Sequence, residues 1–229
     1  MNYQIVTDEN LLKDFIDNFL PKTEENEKYY FCLFARKKYC KDVKYVKSDK
    51  SQLNRKTADS MRLFWKIKQM ECPVGSYRQF QDEQPIPQEA LALYINPNPR
   101  CVWKATLQGL SVLAKNIETG NKNHNPHQEM MSCIQRSCSR KIWAVFDIDS
   151  KDPEMLVKAD EALQGHKECR KILETRGGYH VLVKLDTIPD EIKRTWYQKL
   201  AAISDVTGDC LIPIPGTFQG QWTPRFLDL

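Results

Sequence analysis

An aspartate pair closes an apolar run in Ile142-Trp143-Ala144-Val145-Phe146-Asp147-Ile148-Asp149. On a strand, residues i and i+2 face the same side, so Asp147 and Asp149 are expected to point together. Two carboxylates side by side at the edge of a core need a counter-charge. A divalent cation is the usual one, and hard ions such as Mg²⁺ take oxygen ligands of this kind. Thirty-one residues past Asp149, the segment Thr175-Arg176-Gly177-Gly178-Tyr179-His180 leads a glycine turn into a lone histidine at the head of another apolar run. His180 suits a phosphate through either ring nitrogen, and Arg176 can pair bidentately with another phosphate oxygen. Gly177 and Gly178 leave room for a phosphate to approach the backbone.

Each of these features has a bland reading when taken singly. Two acids at a strand end are often only solvated, a lone histidine is often structural, and a Gly-Gly pair is often only a turn. Their combination points to phosphoryl chemistry. Three carboxylates around one point can hold two divalent cations about 3.5–4 Å apart and clamp both oxygens of an in-line displacement. The third acid is expected to be Asp209, with Asp205, four residues earlier, as its competitor.

The elements that must position these residues are clearest in the second half. Residues 142–149 read as a strand. Asp152 followed by Pro153 opens a helix to about Gln164. Residues 171–175 and 179–185 read as strands joined by the Gly177-Gly178 hairpin turn. Pro189 opens a helix to about Ile203, and residues 210–214 form a last short strand. The order β-α-β-β-α-β is that of the ferredoxin-like or RNA-recognition-like unit. In its usual strand order, 4-1-3-2, strands three and four both flank strand one. The end of strand one and the starts of strands three and four then meet, which gathers Asp147, Asp149, His180 and Asp209.

The first half is expected to be an α/β module (1–140) packed on that catalytic module (141–229), the whole forming one domain. Helices are predicted over 10–20, 55–70, 102–117 and 126–140, a strand-like run over 29–35, and breakers on either side of 90–95. From Arg36 to Lys68 there are twelve Lys/Arg against three Asp, interleaved with Tyr39, Tyr45, Phe64 and Trp65. Cations among aromatics suit a phosphate backbone and stacked bases. Arg36, Lys37, Lys38, Arg55 and Lys56 are therefore the expected contacts to a template strand, against the alternative of a solvated helical face.

Phe146-Asp147-Ile148-Asp149 resembles the first motif of the archaeo-eukaryotic primase superfamily, a hydrophobic residue, Asp, a hydrophobic residue, then Asp or Glu. Thr175-Arg176-Gly177-Gly178-Tyr179-His180 resembles its second, and Asp209 before Cys210-Leu211-Ile212 its third, although Gly208 stands where that family has an apolar residue. Pro213-Ile214-Pro215-Gly216-Thr217, then Arg225, is similar to a Pro-Gly-Thr segment of small bacterial, plasmid and phage members. The resemblance covers chiefly residues 140–220. It implies a primase-polymerase that starts or extends a strand on a single-stranded DNA template from nucleoside triphosphates. Asp147, Asp149 and Asp209 would bind two Mg²⁺ or Mn²⁺ ions, and Arg176, Gly177 and His180 would bind the nucleotide. No GxxxxGK[ST] phosphate loop occurs, so a replicative helicase would be a separate partner.

The remaining features bound the alternatives. The 229 residues are 41% hydrophobic and 28% charged, with a net charge of +4, as expected of a globular protein with a real core. No run is long enough to span a membrane, and the first residues have no secretory pattern. Eight cysteines without small-scaffold spacing then read as reduced thiols, and the expected location is the cytoplasm, in a bacterial, phage or plasmid replication setting. His124, His127, Cys133 and Cys138 could supply four zinc ligands. Their spacing is loose and the stretch reads as a helix, so zinc is not expected. Two other functions compete: a single-strand-binding module without catalysis, and a metal-dependent nuclease. A strand-nicking initiator would need a His-x-His pair, which does not occur.

Overall fold

The longest apolar run of the first half, in β1 (Glu27–Ala35), is buried from Tyr29 onward on both faces. That explains why it reads as a continuous run rather than an alternation: each face is covered by a different layer. The computed structural model describes residues 1–78 and 84–228. In chain order the elements are α1 (Glu9–Asp14, passing into a π-helical turn over Phe15–Phe19), β1, β2 (Ser51–Ala58) and α2 (Leu63–Lys68). Next come β3 (Leu91–Ile95), β4 (Arg100–Cys101), α3 (Val102–Glu118), α4 (Pro126–Arg136) and β5 (Trp143–Ile148). Then follow α5 (Glu154–Ala162), β6 (Arg170–Glu174), β7 (Tyr179–Lys184), α6 (Trp196–Ala202), β8 (Val206–Gly208), β9 (Ile212–Pro213) and β10 (Arg225–Leu227).

The protein is thus mixed α+β, with two antiparallel sheets and six α-helices among the described residues. The first sheet has the order β2-β1-β3-β9, with β4 also pairing to β1; the second has the order β10-β6-β7-β5-β8. The main core lies between the sheets, where Phe31, Leu33, Leu93 and Ile95 meet Trp143, Val145, Leu173 and Leu182. The other face of the second sheet, with Ala144, Phe146, Val181 and Val183, is covered by Ala159 of α5 and Trp196 and Leu200 of α6. The other face of the first sheet, with Tyr30, Cys32 and Tyr94, packs on Met131 of α4. No helix among the described residues is long and apolar enough to cross a membrane.

Three sequence expectations are corrected. Residues 55–70 are not one helix: β2 runs to Ala58 and only Leu63–Lys68 are helical. Arg55 and Lys56 therefore lie on a strand. The last strand is not 210–214. Its place beside β5 is taken by β8, with Phe146 opposite Thr207 and Asp147 opposite Val206. Ile212 and Pro213 instead pair with β3 in the first sheet. The helix expected from Pro189 is a run of turns until Trp196.

Candidate active site

Strand alternation puts Trp143, Val145, Asp147 and Asp149 on the face of β5 that looks toward the first sheet. The first two fill the inter-sheet core, and the two acids stand where that core ends. There they border a cavity of about 430 Å³ between the sheets. The second sheet and its loops contribute Asp147, Asp149, His180, Thr175 and Gly177 to its lining, and the first contributes Arg36, Lys38, Tyr39 and Tyr94. His180 is paired directly across from Asp147, and its Nε2 lies 3.4 Å from Asp147 Oδ1. This separation would suit an ion pair, but burial, reinforced by the Lys38 charge, pushes the imidazole down to about 3 and keeps it neutral. Burial, then the charges of Asp149 and Asp205, push the Asp147 carboxyl up to about 6, against the opposing pull of Lys38 and Arg36.

The turn before His180 is packed tightly. A Cβ on Gly178 would lie 1.9 Å from the Ile148 carbonyl oxygen, so only glycine lets the hairpin close against the end of β5. Thr175 Oγ1 accepts from the Gly178 amide at 3.1 Å and closes the turn. Gly177 faces the cavity, where a Cβ would touch Asp149 Oδ1 and Lys38 Nζ at 3.8 and 3.9 Å.

Arg176 does not line the cavity itself. Its guanidinium rests 4.6 Å from the centre of the Tyr39 ring, which does. Arg36 lies over Tyr94 at 5.3 Å and donates to the Tyr94 hydroxyl at 3.0 Å. Gln219, which sequence reasoning did not single out, links the two arginines. Its Oε1 accepts from the Arg176 amide at 2.9 Å and its Nε2 donates to the Tyr94 hydroxyl at 3.3 Å. A Cβ on Gly220 would meet Arg176 Nη1 at 2.4 Å and Tyr39 at 2.5 Å, so the loop after β9 closes over this aromatic-cation stack. The Pro-Gly-Thr segment nearby was the only signal that could have drawn attention to it.

Buried polar atoms normally have partners. Three nitrogens around this cavity have none: the donors Arg36 Nε and Arg176 Nη1, and His180 Nδ1. Arg36 stands across the cavity from the carboxylates, whereas His180 stands beside Asp147 on the same sheet.

The two candidates for a third acid lie at opposite ends of β8. Asp205, at the head of β8, accepts from the Asp149 amide at 2.8 Å, and its own amide donates to the Asp147 carbonyl at 2.8 Å. Asp209 lies at the other end of β8 and binds Arg100, which is fully buried, through Nη1 at 2.5 Å and Nη2 at 2.6 Å. Asn98 Nδ2 adds a third bond to Asp209 at 3.0 Å. Burial alone would raise the Asp209 carboxyl, but the bonds and charge of Arg100 hold it below the usual carboxylate range. The strand beside β5 begins at Val206, next to Asp205, rather than after Asp209.

The basic residues divide. Arg36 and Lys38 line the cavity. Lys37 is spent on the carbonyls of Lys41 and Val43, at 2.8 and 2.7 Å. Arg55 is spent on tying β2 to β1 and α4, with bonds to Tyr30 Oη, Gln128, Ser132 Oγ and Gln135 Oε1. Lys56 is partly buried, and its ammonium is pulled below its ordinary range by burial and by Lys66.

Among the described residues, no group of three or more His, Cys, Asp or Glu side chains is arranged to hold a metal ion. That includes His124, His127, Cys133 and Cys138. Asp147 and Asp149 nevertheless fit a dication in their chemistry: two oxygen ligands border one cavity, with Asp147 under the repulsion of its acidic neighbours. A larger cavity, about 730 Å³, surrounds Trp143 at the opposite end of β5. Two of its cations are already paired, Arg140 with Glu24 and Glu27 and Lys184 with Asp186. No protein-family model, curated protein or solved structure matches this chain.

Proposed function

We propose that the chain is a template-directed nucleotidyltransferase of the primase-polymerase type, acting at the cavity between the sheets. The observation that carries this reading is the charge division of the cavity, in which Asp147 and Asp149, with His180 beside them, face Arg36 and Lys38 across it. A metal-bound triphosphate has matching polarity. Mg²⁺ is commonly held by only one or two carboxylates, with substrate phosphates completing its shell, so three gathered protein ligands are not required. Asp147 and Asp149 would hold Mg²⁺ or Mn²⁺, which would supply charge neutralisation at the phosphates and activation of the attacking hydroxyl. Neutral His180 offers a ring N–H to a phosphate oxygen. Arg36 and Lys38 offer positive charge from the opposite side, and Arg176 supports them through Tyr39. Asp205 orients the pair from its bond to the Asp149 amide.

The strand order β8-β5-β7-β6, with α5 and α6 on one face, supports the finer fold reading of an RNA-recognition or ferredoxin-like catalytic unit. A pure binding module of that type would present aromatics on an open sheet face. Here the corresponding face is covered by the first sheet, which weighs against that alternative. With Lys37 and Arg55 spent internally, template phosphates are left to the exposed Lys41, Lys44 and Lys50.

Incubation with single-stranded template, Mn²⁺ and labelled nucleotides, with and without primer, tests the reading. Incorporation that disappears in Asp147→Ala and Asp149→Ala supports it. Incorporation that survives replacement of both acids overturns it.

A further inference from the structure

Helix α3 carries apolar side chains on two faces, and only one is used inside the fold. The inner face packs through Ala105 and Gly109, where a Cβ on Gly109 would lie 2.0 Å from Met130 Sδ of α4. On another face Trp103, Leu107, Leu110 and Ile117 are 63, 53, 59 and 75% exposed, with the exposed Ala114 in line between them. Single exposed apolar residues are ordinary, but a contiguous apolar stripe marks an interaction surface. The intervals 4-3-4-3 are those of a seam that another helix fills knob into hole. Beside the seam lie Lys104, Ser111 and Glu118, spaced by seven. Lys104 and Glu118 are both exposed, and neither makes an ion pair among the described residues.

We propose that this stripe is a self-association surface, covered by α3 of a second copy in antiparallel, two-fold pairing. In that arrangement Leu107 meets Ile117, Leu110 meets Ala114, and Lys104 of each copy reaches Glu118 of the other, twice over by symmetry. A parallel pair would set Lys104 beside Lys104 with no opposite charge in reach. The charge pattern therefore selects both the occupant and its direction. No residue lining the inter-sheet cavity lies on α3 or α4, so the pairing leaves that cavity open. The proposal stands independently of the catalytic reading.

Sedimentation velocity from low to high micromolar concentration tests it. The wild-type chain is expected to move from its monomer mass of 26.8 kDa toward twice that value. Leu110→Asp, at an exposed position, is expected to remain monomeric with an unchanged circular dichroism spectrum. Lys104→Glu or Glu118→Lys alone should weaken dimerisation about tenfold, and the double exchange should restore it. A wild type that stays monomeric throughout, or a Leu110→Asp variant that dimerises as well as wild type, overturns the proposal. Dimers that the double exchange fails to restore overturn the antiparallel arrangement.

Discussion

Replacing Asp209 with Asn separates structure from chemistry at the two rival acids. Arg100 is 0% exposed and Asp209, at 28%, is its only carboxylate partner among the described residues. The other bonds of Arg100 go to backbone carbonyls, of Asn98 and Gln135 at 3.0 Å each. Losing one partner of a buried pair leaves an uncompensated charge and costs about 3–5 kcal/mol. Because Asp209 retains some contact with water and Asn still accepts a hydrogen bond, the lower end, about 3 kcal/mol, is expected. For a chain of this size that is roughly 6–12 °C in melting temperature. Asp205→Asn loses a partly exposed amide bond, about 1 kcal/mol or less. The pH dependence gives a second readout. The Asp209 carboxyl is depressed in the folded state, so its stabilisation is complete above its unfolded value near 3.9 and is lost as pH falls below that through the folded value. Thermal unfolding between neutral pH and about pH 3 should show wild type losing stability along an acid limb that is shallower in Asp209→Asn. An Asp209→Asn variant that melts like wild type but loses nucleotide incorporation would refute this assignment and return Asp209 to the catalytic site.

Asp147→Asn should abolish incorporation without lowering the melting temperature of the metal-free protein, because it relieves a carboxylate buried among Asp149 and Asp205; calorimetry beside the incorporation assay checks both. Gly220→Ala places a methyl group against Arg176 and Tyr39 at a residue with φ of 55°, and should cost about 1–2 kcal/mol and raise the nucleotide KM several-fold. Arg55→Ala should destabilise the fold by about 2 kcal/mol in denaturant unfolding, since half-buried bonds to Tyr30 and to Ser132 and Gln135 of α4 disappear. It should leave the salt slope of single-strand binding unchanged, whereas Lys50→Ala should flatten it.

The legible parts of the sequence were those whose burial shows in local pattern. Strand β5 announces itself by five apolar residues, Ile142 to Phe146, ending in acids, and β7 by Val181-Leu182-Val183 after a glycine turn. The placement of Asp147 opposite His180 followed from those two elements and a known strand order. Strand β2 was misread because Ser51-Gln52-Leu53-Asn54-Arg55-Lys56 has no alternation of apolar and polar residues: Arg55 on one face meets polar groups of α4 rather than a core. Strand β8 is three residues, Val206-Thr207-Gly208, too short to stand out from the loop around it. The pairing of Ile212 with Ile95, and of Phe226 with Leu173, joins residues over fifty positions apart and leaves no local trace. Arg36 and Lys38 were recognised as cations, but their position facing the acids depends on how the sheets stack.

After α6 the chain changes sheets repeatedly: β8 lies in the second, β9 in the first and β10 in the second again. On the way, Val6 bridges to Thr217 and Phe218 donates to the Ile5 carbonyl, which fastens the early chain to the late. This is a lacing rather than an extra layer, and it orders events in time. The segments up to β7 can pair within their own sheets and share the inter-sheet core, but the hydrogen bonds that tie Asp149, Arg176 and Tyr94 in place come from later residues. These are residues 205–222, which supply Asp205, Gln219 and Gly220. A ribosome-bound intermediate halted before them would hold most of its strands and still lack the bonds that Asp205 and Gln219 make around the cavity.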